Sequence, residues 1–156
     1  MLERMIRRKA SMFLALLMWA PVIFAATPQD DVRSFFEHFV AAQNAHDLDT
    51  VQTMLWDSPD FLWISRGTQV RGSSDALATY RSYYTGTWHL DADMTKFQTI
   101  VLSSDVVELF VPVTFSRGAP GQPPQSATFL ISQTLIHNAT GWHVATIIPI
   151  ANTQLK

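Results

Sequence analysis

FEHFVAAQNAHDLDTVQTMLWDSPDFLWISRGTQVRG, residues 36–72, is the stretch whose reading decides the fold. Val32, Phe35, Phe36, Phe39, Val40 and Ala42 recur at spacings of three and four. That period predicts an amphipathic helix ending near Asn44-Ala45-His46. Upstream, Pro28 and Asp30-Asp31 suit its first turn, where acids meet the positive end of the helix dipole. Asp47 is a cap for a second helix over 48–55 that buries Leu48, Val51, Met54 and Leu55. Asp57-Ser58-Pro59-Asp60 breaks that helix, Phe61-Leu62-Trp63-Ile64 reads as a strand, and Arg66-Gly67-Thr68-Gln69 as a turn. Beyond Gly72, Ser73 or Ser74 caps a third helix with Leu77, Tyr80, Tyr83 and Tyr84 on its apolar face, and Gly86 stops it.

The remainder reads as β. One long or bent strand covers 88–102, and Ser103-Ser104-Asp105 turns into a strand over 106–115. A Gly- and Pro-rich loop over 117–124 joins it to a strand over 127–136. His137-Asn138-Ala139-Thr140-Gly141 then turns into a last strand over 142–150. Consecutive strands joined by turns predict an antiparallel meander. With no repeat and no interior linker, 156 residues fit one domain.

The first 25 residues stand apart. Arg4, Arg7, Arg8 and Lys9 precede an apolar run over 10–25 that closes on Ala25-Ala26. This is the pattern of a secretory signal peptide, with a membrane anchor as the alternative. The domain is then 26–156, and the expected location is periplasmic or secreted. Arg7-Arg8 is a weak twin-arginine candidate, lacking Phe-Leu after the pair. Removing four bases and one acid leaves 7 Lys+Arg and 12 Asp+Glu, a net of −5 against −2 for the whole chain. An acidic domain without a basic stripe is a poor nucleic-acid binder. The absence of cysteine excludes disulfides, thiol catalysis and thiolate zinc sites.

The order of these elements resembles the nuclear transport factor 2-like superfamily, especially its SnoaL-like and unknown-function bacterial branches. The resemblance is carried by Phe39-Val40-Ala41-Ala42, Asn44-Ala45-His46-Asp47-Leu48-Asp49, Asp60-Phe61, Arg71-Gly72 and Gly141-Trp142-His143-Val144. It implies an α+β, cystatin-like fold: three N-terminal helices packed in a strongly curved antiparallel sheet that forms a cone-shaped pocket. Ketosteroid isomerases of this superfamily use an Asp base with Tyr and protonated Asp donors. Matching the motifs places Phe39, Ser65 and Gln133 at those positions. Phe cannot donate, Ser is a poor base unaided, and Gln is neutral. The isomerase mechanism therefore does not carry over. The same matching implies a pocket lined by Phe39, Phe61, Trp63, Ser65, Ile131, Gln133 and Leu135.

The polar candidates have competing readings. His89, Asp91 and Asp93 alternate and could hold a divalent metal, but a solvated strand face explains them better. Glu108 is a candidate base if it points inward and ordinary if outward. His137 is placed near the face of Gln133, whereas His38 and His143 read as surface residues and His46 as a helix terminator. Asn138-Ala139-Thr140 is a sequon that matters only in a eukaryotic secretory path. No cofactor and no metal is implied. Three functions follow: a module binding a small apolar molecule; an enzyme of isomerase, hydrolase or dehydratase type using Glu108, His137, Ser65 and Gln133; and a structural protein. A homodimer through the outer sheet face, around Leu130 and Ile136, is expected in each.

Overall fold

The structure is a computed structural model and describes residues 27–151 except Arg66; of Ser65 it describes the backbone. The leader expected at 1–25 lies outside the described residues. Three helices, α1 (Pro28–Asn44), α2 (Leu48–Met54) and α3 (Ser73–Tyr83), are followed or interleaved by eight strands. These are β1 (Leu62–Ser65), β2 (Thr68–Arg71), β3 (Thr87–Ala92), β4 (Gln98–Ser103), β5 (Val106–Gly118), β6 (Gln125–Asn138), β7 (Gly141–Val144) and β8 (Thr146–Ala151).

Local chemistry sets the helix ends. The Thr27 hydroxyl accepts from the Asp30 N–H at 3.3 Å, and the Asp30 carboxylate accepts from the Thr27 N–H at 3.3 Å. This reciprocal box satisfies two donors that the first turn leaves open. α1 then buries Val32, Phe36, Phe39 and Ala42 against the sheet. It ends where His46 takes φ 57°, the left-handed conformation usually given to glycine. Asp47 caps α2 by accepting from the Thr50 N–H at 3.0 Å and the Thr50 hydroxyl at 2.7 Å. Those bonds, the backbone one first, hold its carboxyl below the usual range.

The sheet is open and mixed, in the order β2-β1-β8-β6-β5-β3, with β4 added on β5 and β7 on β6. β5 and β6 form its spine, paired from Val106↔Ile136 to Arg117↔Gln125. Each changes partner half-way: β5 pairs β4 near its start and β3 near its end. The core lies between the helices and the inward residues of the spine, Val107, Leu109, Val111, Val113, Ile131, Gln133 and Leu135.

Four expectations are corrected. The last strand over 142–150 is two, β7 and β8, parted at Ala145, whose N–H donates to the Thr134 carbonyl at 2.8 Å. β1 and β8 run parallel, Leu62↔Thr146 and Trp63↔Ile147, so the sheet is not wholly antiparallel. These strands are distant in sequence, and no hairpin forces them to oppose. Residues 68–71 are a strand paired antiparallel with β1 rather than a turn, with Ser65↔Thr68 the last pair of that ladder. The long strand over 88–102 is two, interrupted by a 3-10 turn at Met94–Lys96. Asp93 causes the break by accepting from the Thr95 hydroxyl and N–H and pairing with Lys96 at 3.0 Å.

Candidate functional site

The end of α1 is fastened to β3 by two side chains. Asn44 Nδ2 donates to the Leu90 carbonyl at 2.9 Å, and its Oδ1 accepts from the Leu90 N–H at 2.7 Å. The amide thus satisfies a backbone donor and acceptor as a neighbouring strand would. His46 Nε2 lies 3.1 Å from the Trp88 carbonyl, and its ring stacks on Tyr84 at 4.5 Å. An N–H on Nε2 is the partner a carbonyl requires. The Asn44-Ala45-His46 motif is therefore a clamp that sets β3, and with it Trp88, against the helices.

Trp88 is the centre of an aromatic cluster. Tyr83 stacks on it at 5.1 Å, and Trp63, Tyr80 and Phe115 meet it edge-on at 6.4, 6.0 and 5.8 Å. Trp63 stacks on Tyr80 at 4.6 Å, and Phe115 meets Phe129 edge-on at 5.7 Å. Rings in these offset and edge arrangements stabilise one another beyond their burial. The cluster lines one side of a cleft of about 220 Å³ walled by Trp63, Trp88, Phe115, Phe129 and Pro149, with Arg117 at its edge. The Arg117 guanidinium lies over the Phe115 ring at 5.8 Å.

Behind this mouth is a recess of about 30 Å³ that shares the walls Trp63, Trp88, Phe115 and Pro149 and reaches Gln43 and Gln133. Gln133 is 3 % exposed, and its Oε1 has no hydrogen-bond partner among the described residues. The Trp88 Nε1–H and the Tyr84 hydroxyl are also buried without partners. The recess is uncharged. Burial, with a smaller contribution from Tyr84, pushes the Tyr80 phenol well above its ordinary value, so it stays protonated.

Of the residues implied as pocket lining, Trp63, Ile131 and Gln133 meet in the recess. Phe39, Phe61 and Leu135 are fully enclosed in the core and touch neither part of the cleft. Ser65 ends β1 with its backbone paired to Thr68, and its side chain is outside the description. Glu108 faces outward: its neighbours Val107 and Leu109 are the buried ones. Its carboxylate accepts from the hydroxyls of Ser132 and, at 2.7 Å, Thr134. Glu108 and Gln133 thus sit on opposite faces of the spine and cannot act on one substrate within a single chain. His137 is exposed near the end of β6, edge-on to Trp142 at 5.0 Å. His89 and Asp91 are exposed while Asp93 caps the 3-10 turn, so these three do not converge. Phe115, Phe129 and Pro149 are wall residues that sequence reasoning missed. The alternation Val107, Leu109, Val111, Val113, Phe115 was the signal for the first.

No family model matches the sequence. No curated protein matches it either. Solved structures do. A nuclear transport factor 2-like superfamily protein from Salmonella enterica superposes with a TM-score of 0.69 at 18% identity, covering 81% of this chain and 94% of that one. The fold is nuclear transport factor 2-like. A second protein of this fold, from Cytophaga hutchinsonii, gives a TM-score of 0.68 at 16% identity over 81% of this chain and 99% of its own. A Streptomyces avermitilis protein, provisionally named a dehydratase of the nuclear transport factor 2-like family, gives 0.67 at 14% over 78% and 94%. At such identities the likeness is one of fold, and function has to be argued from the site.

Proposed function

We propose that this nuclear transport factor 2-like domain binds a small, largely apolar molecule in a cone between its helices and sheet. One observation carries this: the cleft of about 220 Å³ has the rings of Trp63, Trp88, Phe115 and Phe129 among its walls, beside Ile64 and Pro149, and adjoins a recess that holds the buried amides of Gln43 and Gln133. Concave apolar sites with a few inward polar groups are the usual form of small-molecule sites. The dehydratase name of the Streptomyces protein does not extend to this chain. Proton transfer needs groups within reach of one substrate, and Glu108 and His137 stand apart from Gln133. The test is a thermal-shift and native mass-spectrometry screen of the purified full chain against apolar metabolites. A ligand that binds the folded state raises the melting temperature. No retained molecule and no shift across the panel would sink the binding reading.

The domain is also proposed to pair with a second copy through the outer sheet face. Phe110, Ser132 and Ile148 form one rung of that face, and Pro112, Leu130 and Ile150 the next. Ile100 and Leu102 extend it, at 53 % and 62 % exposed, and Leu130 and Ile150 are exposed too. Glu108 on this face is already bonded within the chain, and exposed Asp91 lies beyond the apolar rungs beside Thr114, so the apolar patch itself is suited to meeting a second copy across a two-fold axis. Sedimentation velocity is expected to show a dimer, and Leu130→Asp a monomer with unchanged circular dichroism. A monomeric wild type overturns the pairing.

A further inference from the structure

The cleft constrains the class of its ligand by size, charge and the polar groups of its recess, where the Gln43 amide already donates to the Phe39 carbonyl and the Gln133 oxygen has no partner among the described residues. An engineered apolar cavity of about 150 Å³ holds benzene. A mouth of about 220 Å³ is therefore filled by one ring or two fused rings. Its walls present ring faces and edges, which favour a planar aromatic guest. The recess beyond, about 30 Å³, has the size of one water molecule. It admits a single polar tip and nothing larger.

The tip must be uncharged. No ionised side chain borders the recess, and an unpaired charge buried there would carry a heavy desolvation cost. The tip must also form a hydrogen bond, because Gln133 is nine-tenths buried, lines the recess and keeps an unpartnered amide oxygen. A buried polar atom of this kind normally finds a partner. A hydroxyl both donates and accepts, so it is served by either end of an amide.

We propose that the cleft selects uncharged mono- or bicyclic aromatic molecules bearing a hydroxyl or N–H, with that group bonded to the Gln133 amide and the rings held by Trp63, Trp88 and Phe115. This rests on the small-molecule reading of the cleft and adds the ligand class and the residue that selects it.

The experiment measures 2-naphthol and naphthalene binding to the purified full chain by calorimetry, with wild type and Gln133→Leu compared. Leucine keeps similar bulk and removes the amide, so the variant is expected to fold. Wild type is expected to bind 2-naphthol about tenfold more tightly than naphthalene, one hydrogen bond's worth. In Gln133→Leu the two affinities are expected to fall within about twofold of each other, with naphthalene unchanged. Equal affinities in wild type, or a preference that survives in Gln133→Leu, overturn the Gln133 assignment while leaving the cleft a binding site. If neither compound binds wild type, the ligand class proposed here is overturned, and the small-molecule reading falls with it where the apolar-metabolite panel is silent too. Should Gln133→Leu be unstable, the apolar, unbranched methionine side chain removes the amide at similar length; in Gln133→Met the preference for 2-naphthol over naphthalene is expected to vanish as well, and its survival overturns the assignment.

Discussion

Phe39→Ala is expected to destabilise the domain by about 3–5 kcal/mol, the range for deleting a buried aromatic side chain. The ring is fully enclosed on α1, stacked on Phe35 at 6.4 Å, and borders neither part of the cleft. Its removal therefore leaves a closed void in the core rather than enlarging a ligand site. Against a typical total of about 5–15 kcal/mol, such a loss shows as a large drop in the urea midpoint. Phe39→Tyr is the more pointed variant, because it restores the hydroxyl that the isomerase resemblance would require. That oxygen meets packed core at a position with no exposure, and overpacking of this kind costs about 1–3 kcal/mol. A Phe39→Tyr protein as stable as wild type would mean that α1 leaves room and a partner for a donor there.

The helices were legible because their signals are local. Thr27, Pro28 and Asp30 form the box that starts α1, and Asp47 needs only Thr50 to cap α2. The strands were legible as apolar runs but not as partners. Asp93 accepting from Thr95 divides β3 from β4, and the apolar run alone does not reveal this. The polar composition of Thr68-Gln69-Val70-Arg71 hides an edge strand whose outward side chains meet water. The parallel pairing of β1 with β8 joins segments more than eighty residues apart, and no turn chemistry records it. The site divides the same way. Trp63 and Gln133 were implied as lining by the family resemblance, with strand alternation placing Trp63 on the face of Ser65. Phe129 and Pro149 depended on the β5–β6 and β6–β8 registers, which are set beyond the Pro-rich loop and after Ala145. Register likewise decided Glu108, since a shift by one residue exchanges the faces of a strand.

Glu108→Ala is expected to cost about 1–3 kcal/mol of stability while leaving affinity at the cleft unchanged. The carboxylate accepts from the hydroxyls of Ser132 and Thr134, and Ser132 is only 6 % exposed. Thr134 is tied onward to β8: its hydroxyl accepts from Thr146 Oγ1 at 2.9 Å, and its N–H donates to the same atom at 3.0 Å. Glu108 is thus the terminal acceptor of a polar line across β5, β6 and β8. Deleting it leaves two hydroxyls without their acceptor, and the penalty follows from groups left unmade rather than from a bond's net worth. Glu108→Gln keeps one acceptor oxygen and offers a donor to the other hydroxyl, so its loss is expected to be smaller, about 1 kcal/mol. Bonds to an ionised group are the stronger ones, which accounts for the remainder. Chemical denaturation ranks the variants wild type, Gln, Ala, and calorimetry of a cleft ligand shows no ranking. The reverse pattern, stability intact and ligand binding or turnover lost, would require the carboxylate to face the cleft. Alternation along β5 forbids that without turning Val107 and Leu109 out of the core.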